Sequence, residues 1–386
     1  MKCLVPGVTG HQPPDHPPPP LPPKRVVTFG EVMLRLAPSG NYRLRQVLPG
    51  SLDATFGGGE LNVAVSVALQ GGRSAFLTAV PDNVVTDALQ QELGKLGVDA
   101  DLLLRHKQGR FGIYFVETGA NQRGGTVTYD REGASITHCG PEQYDWNRVF
   151  ADAGWFHITG ITPALCERTA LAALESVRQA KQRGITVSCD LNFRKKLWRW
   201  RSGTKPVDLA RETMRSMMPY VDVVIANEED ADLSLGIAAK NTDVAGGHLH
   251  VEGYGDVART IVQQFPNVSR AAITLRESIS ASHNNWGALL YDKSLDRVWL
   301  APLGADGQYE PYEIRNIVDR VGAGDSFSGG LIFALTTPEL SAPETALRYA
   351  VAASCLKHTI IGDFNYSTRA EIEALISGGG SGRVQR

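Results

Sequence analysis

Short runs of β-branched and aromatic residues alternate along this chain with longer stretches whose apolar positions recur every three or four residues. Residues 74–79 precede a helical pattern over 82–96, residues 155–158 one over 167–183, and residues 221–225 one over 228–235. Residues 26–30, 186–190 and 271–275 read as further strands, the last ending at Thr274 and running into a polar loop from Arg276 to Asn285. This rhythm predicts an α/β fold with a mostly parallel central sheet and helices on both faces. Residues 111–117 and 126–129 break it, because they alternate apolar and polar positions around the polar turn 121–125. They predict a hairpin over about 110–131, standing off the main sheet as a small β lid.

The first 24 residues include Pro13, Pro14, Pro17 to Pro20, Pro22 and Pro23, a density compatible with polyproline II but not with helix or sheet. This segment is expected to be a disordered extension, residues 377–386 a flexible tail, and residues 25–376 one domain. A net charge of −2 with scattered basic residues argues against nucleic acid as a partner. The five cysteines are far apart and form no Cys-x-x-Cys pair, which fits a reducing cytoplasm better than a disulfide framework. No apolar run reaches the roughly 18–20 residues that a membrane span needs.

Candidate chemistry is concentrated in Val321-Gly322-Ala323-Gly324-Asp325-Ser326-Phe327, which opens into the apolar helical positions Phe327, Gly330, Leu331, Ala334 and Leu335. Glycines before a helix let consecutive N–H groups converge on an anion at the positive end of the helix dipole. A bare Gly-x-Gly-Asp also suits an ordinary turn with a capping aspartate. Asp325 in such a nest is well placed to take a proton from a hydroxyl while Gly322, Ala323 and Gly324 form an anion hole for a phosphoryl group. A second glycine turn, Gly57-Gly58-Gly59, enters a helix with Leu61, Val65, Ala68 and Leu69 on one face and Asn62 in its first turn.

Arginines suggest the substrate. Tyr129 and Arg131 share a face of the hairpin, with Tyr114 on the preceding strand. Asp190, Asn192 and Arg194 are also two apart and would share a side if the chain stays extended, at the carboxyl end of a parallel strand. Two converging guanidinium groups suit a carboxylate.

The string from Ile317 through Gly-Ala-Gly-Asp-Ser-Phe, together with the segment from Gly57 to Ala64 and Gly71-Gly72, resembles the two signatures of the ribokinase-like (PfkB) carbohydrate kinases. The resemblance covers about residues 25–376 and implies a three-layer α/β/α sandwich with ATP and Mg²⁺ as cofactors. It implies that Asp325 is the catalytic base and that Gly58 and Asn62 contact substrate hydroxyls. Gly112-Ile113-Tyr114, Tyr129-Asp130-Arg131, Thr159-Gly160-Ile161 and Asp190 through Arg194 look like segments of 2-keto-3-deoxygluconate kinases. There, Tyr114, Tyr129, Arg131, Ile161 and Arg194 would bind an acidic keto sugar.

On the nucleotide side the resemblance implies Asn227, Thr274, Arg276, Gly322 and Gly324, although Arg276 stands where many relatives have glycine. Asn227 and Asp230 occupy an Asn-x-x-Glu position with the acid one methylene shorter. They either organise Mg²⁺ through water or are solvated residues favoured by the helix dipole. A fructokinase or another neutral-sugar or nucleoside kinase of this fold remains an alternative, as more remotely does a non-catalytic sugar-binding protein. A dinucleotide enzyme would need Gly-x-Gly-x-x-Gly after the first strand, where this chain has Gly30-Glu31-Val32-Met33. The exposed lid edge leaves open a homo-oligomer through the lid strands.

Overall fold

The computed structural model describes residues 24–227, 229–239 and 251–378. The proline-rich segment up to residue 23, Glu228 and most of the glycine-rich tail lie outside the described residues. Among the described residues the strands are, in chain order, β1 (Arg25–Phe29), β2 (Met33–Ala37), β3 (Asp53–Gly57), β4 (Ser74–Pro81), β5 (Val98–Asp99), β6 (Leu103–His106), β7 (Gly112–Glu117), β8 (Thr126–Asp130), β9 (Ala153–Thr159), β10 (Thr186–Asp190), β11 (Val223–Ala226), β12 (Arg270–Ser280), β13 (His283–Asp292), β14 (Arg297–Ala301) and β15 (Tyr312–Ile314).

Eleven of them form one sheet in the order β14-β13-β12-β11-β10-β9-β1-β4-β5, with β15 on β13 and β6 on β4. Pairing is parallel from β12 across to β5 and β6, and antiparallel among β12 to β15. Both faces are covered, which is why β1, β4 and β11 are buried at every position. Val26, Trp155, Val223 and Ile225 pack with the helices Gly59–Leu69, Ala323–Thr336 and Pro343–Lys357. Val27, Phe156, Val224 and Ala226 turn the other way, onto Glu167–Gln182, Pro206–Met217 and Val251–Gln264. The period of two along each strand thus builds two cores on one sheet.

The predicted hairpin is β7 with β8, and it stands off the main sheet. The lid is larger than the hairpin, however, because β2 and β3 join it in a four-stranded sheet of order β3-β2-β7-β8. Its first two strands are spliced into the chain next to the main sheet. Only residues 30–32 separate β1 from β2, and only Gly58 separates β3 from the helix Gly59–Leu69.

Two expectations about local geometry give way to the structure. The strand expected to end at Thr274 runs on to Ser280 and pairs with β13, so that 276–285 is a strand pair with a tight turn rather than a polar loop. Asn285 Nδ2 donates to Glu277 Oε2 at 2.6 Å across that pair, and β15 pairs with β13 at Asn284 to Trp286. After Asp190 the chain does not stay extended: Asn192 takes φ 36°, and Arg194 lies beyond the strand on an exposed turn.

Candidate active site

Two helices begin side by side above the carboxyl ends of the parallel strands. Gly329 makes this possible, since a Cβ there would stand 2.5 Å from Ser66 Cβ and 3.3 Å from the Val63 carbonyl oxygen. One turn towards both N-termini, Asn62 Nδ2 donates to Asp325 Oδ2 at 2.6 Å. Two motifs 263 residues apart in sequence therefore meet at one hydrogen bond.

The turn before Asp325 is built as its glycines suggest. Gly322 caps the helix Ala323–Thr336 at φ 84°, and the Asp363 carbonyl oxygen stands 2.1 Å from where its Cβ would be. Both the left-handed backbone and the close approach exclude a side chain there. A Cβ on Gly324 would meet nothing within 4 Å, so the turn faces open space. The N–H groups of Ala323, Gly324 and Asp325 belong to the first helical turn, which has no intrahelical acceptors for them, and the Ala323 N–H makes a long contact of 3.5 Å to the Arg320 carbonyl oxygen in the turn before it. Gly58 is hemmed in likewise, with the Glu31 carbonyl oxygen 2.2 Å from its Cβ position, and its N–H donates to Asn62 Oδ1 at 3.3 Å. Gly59 lies among Asp325 Oδ1, Ile161 Cδ1 and Thr159 Cγ2, at 3.6, 3.6 and 3.7 Å from its Cβ position.

Burial raises the Asp325 pKa to about 6, opposed by the Asn62 hydrogen bond and the nearby Arg194 charge. Asp190, buried at the end of β10, is raised well above the usual range, first by burial and then by the Asp230 and Asp325 carboxylates. Asp230 is raised by burial too, although it accepts from the Phe193 and Asn227 N–H groups. Arg194 therefore does reach the electrostatic neighbourhood of Asp325, by way of the turn rather than a strand. Asn227 Oδ1 accepts from the N–H groups of Glu229 and Asp230, as a helix-start residue does. Among the described residues no three His, Cys, Asp or Glu side chains cluster closely enough to hold a metal ion directly.

On the lid side, Tyr114 is buried, its hydroxyl lies beside the Asp363 carboxylate, and its ring stacks on Tyr129 at 6.0 Å between centroids. Arg131 lies over the Tyr129 ring, 5.3 Å from its centroid. Its guanidinium is not left open for a ligand alone, because Nη2 donates to the buried Glu31 carboxylate. Thr274 is buried on β12 with its hydroxyl 3.4 Å from the Ala226 carbonyl oxygen, and Arg276 is exposed on the same strand near Arg320 and His358. His358 is buried, with Nδ1 2.8 Å from the Ser354 carbonyl oxygen, and burial lowers its pKa to about 4.

Several buried charges had no local signal in sequence. Arg35 on β2 forms ion pairs with Asp319 and Asp363, and Lys357 is buried near both acids. Glu60 accepts from Thr159 and Thr162 through one oxygen, Oε1, and burial raises its pKa to about 7.

The pfkB family carbohydrate kinase model matches residues 23–258 and 287–365. The chain is 30% identical over 357 residues to the 2-dehydro-3-deoxygalactonokinase of Haloferax volcanii, which spans 92% of this chain and 98% of that one. It is 25% identical over 331 residues to fructokinase-2 of Solanum habrochaites, spanning 86% and 88%. The crystal structure of 2-dehydro-3-deoxygluconokinase from Thermotoga maritima superimposes with a TM-score of 0.81 at 40% identity, covering 92% of this chain and all of that one. With its two glycine turns joined at Asn62 and Asp325 and its ribokinase-like sheet, this chain belongs to the pfkB family of carbohydrate kinases.

Proposed function

We propose that this sugar kinase transfers the γ-phosphoryl group of ATP to the primary hydroxyl of an acidic keto sugar, 2-keto-3-deoxygluconate or its galactonate epimer. The product is then the 6-phosphate, 2-keto-3-deoxy-6-phosphogluconate in the first case. The observation that carries the reading is Asp325, partly buried in a glycine turn at a helix N-terminus and held by Asn62. Asp325 removes the hydroxyl proton as the sugar oxygen bonds to the γ-phosphorus. The bond from that phosphorus to the bridging oxygen breaks, ADP leaves, and the proton passes from Asp325 to solvent. The N–H groups of Ala323, Gly324 and Asp325 stabilise charge on the transferring group.

Gly58 and Asn62 bind sugar hydroxyls, while Tyr114, Tyr129 and Ile161 wall the sugar. Arg131 and Arg194 take its carboxylate. Asn227, Thr274, Arg276, Gly322 and Gly324 border the nucleotide. The donor chemistry suits Mg²⁺, since the buried Asp190 carboxylate stands within the electrostatic reach of the Asp230 and Asp325 carboxylates, a grouping of oxygen donors that favours a hard cation. Bound with the phosphates, Mg²⁺ would neutralise their charge, and Asn227 and Asp230 would hold it through water. The lid excludes water, the competing acceptor.

One observation favours a neutral-sugar kinase such as a fructokinase: Glu31 already engages Arg131. A coupled ADP-release assay with ATP and Mg²⁺ separates the two, comparing both keto-deoxy epimers with gluconate, fructose, ribose and adenosine. Turnover confined to the keto-deoxy acids is expected. Preference for fructose or ribose would overturn the substrate assignment while leaving the kinase chemistry intact.

A further inference from the structure

Arg35 stands at an inner position of the lid sheet, on β2, with Thr55 of β3 and Tyr114 of β7 as its backbone neighbours. Only 2% of it is exposed, so its charge has to be matched locally. Nη2 donates to Asp319 Oδ2 at 2.5 Å and Nη1 to Asp363 Oδ1 at 2.8 Å. Both acids belong to the main body, 284 and 328 residues further along the chain. A planar guanidinium can hold two separate carboxylates from fixed positions, which a compact ammonium does less well.

Those two carboxylates shape the turn that precedes Asp325. Asp319 accepts from the Val321 N–H at 3.0 Å through Oδ1 and from the Gly362 N–H at 3.1 Å through Oδ2, closing the backbone just before Gly322. Asp363 works from the opposite side. Its carbonyl oxygen fills the space a Gly322 side chain would need, and its Oδ2 lies 3.4 Å from Asn62 Nδ2, the amide that also holds Asp325. Lys357 donates to the Ile360 carbonyl oxygen at 3.0 Å and brings a second buried positive charge to the same cluster.

We infer that Arg35 is a positioning residue for phosphoryl transfer, seating the lid sheet and fixing turn 322–325 through Asp319 and Asp363. Its guanidinium is engaged by the two carboxylates, so it acts through them rather than on sugar or nucleotide directly. It sets where the anion-hole N–H groups and Asp325 stand relative to the lid that covers the sugar. The inference rests on the reading of Asp325 as the base. A shift of about 1 Å at reacting groups can cost about 10²-fold in rate.

The test uses the full chain carrying Arg35→Lys, Arg35→Met, Asp319→Asn or Asp325→Asn, each checked for folding by circular dichroism. It measures kcat, KM and the ratio of ADP to sugar phosphate with the sugar that the wild type turns over fastest. The expected result for folded Arg35→Lys is a kcat about 10²-fold lower, a sugar KM within a few-fold, and ADP in excess of sugar phosphate as water reaches the phosphoryl group. Asp319→Asn keeps an acceptor for Val321 but loosens Arg35, so it should show the same signature even where an arginine variant fails to fold. Wild-type kcat and one ADP per sugar phosphate in a folded Arg35→Lys or Asp319→Asn protein overturn the inference. Wild-type kcat in Asp325→Asn instead removes the base on which it rests.

Discussion

Asp325 is a base whose strength is set by its surroundings. Desolvation penalises its ionised form more than Asn62 and Arg194 stabilise it, which is why its pKa rises to about 6. Only the ionised carboxylate can accept the hydroxyl proton, so the competent fraction falls as pH drops through that value. The pH profile of kcat/KM is therefore expected to show an acid limb near 6 rather than near an ordinary aspartate value, and Asp325→Asn should lower kcat by about 10²–10⁴ with the sugar KM little changed. Glu60 is the control, because Thr159 N–H and the hydroxyls of Thr159 and Thr162 all donate to its Oε1, which glutamine also offers. Glu60→Gln should leave the limb in place; its disappearance would transfer the titration to Glu60. Asp325 and its glycines are legible in sequence because a turn is a local object. Arg35, Asp319 and Asp363 are not, since Arg35 occupies an inward position of an otherwise apolar strand and finds its partners hundreds of residues away.

At the level of elements, the separation of the two glycine-turn helices fixes the distance between Asn62 and Asp325. Gly329→Ala would put a methyl group 2.5 Å from Ser66 Cβ, so it is expected to destabilise the fold by about 1–3 kcal/mol, the range for overpacking. Ser66→Gly in the same chain should restore part of that loss, as thermal unfolding of the single and double variants would show. Failure of the double variant to recover would place the strain elsewhere, at the Val63 carbonyl. The alternation of strand and helix was readable because buried parallel strands are continuous apolar runs. β3 was not, since its first three positions are exposed, and neither was the outer half of β12, whose polar residues are held by cross-strand pairing with β13. Residue order contains no signal for a pairing made at right angles to it.

On the scale of the molecule, the two cores share one sheet, and strands such as β1 and β9 contribute alternate residues to each. Neither core can open without exposing the back of the other. Scanning calorimetry of the full chain is therefore expected to show a single heat-absorption peak, and two resolved peaks would mean that the antiparallel end or the lid unfolds by itself.

The short connections at the root of the lid also bear on how such kinases could be recombined. With three residues before β2 and a single glycine after β3, that half of the lid is a cassette sewn in without slack, whereas β7 and β8 are joined to the body through the longer stretches 107–111 and 131–134. Exchanging the β2–β3 half for that of a relative with different sugar preference would succeed only if the seams at residues 30–32 and 58 kept their length. The tip around residues 118–125 is pinned as well, because the Ala281 N–H donates to the Asn121 carbonyl oxygen at 2.7 Å and the Asn121 N–H to Ser282 Oγ at 2.9 Å, so a grafted tip must also dock on the turn between β12 and β13.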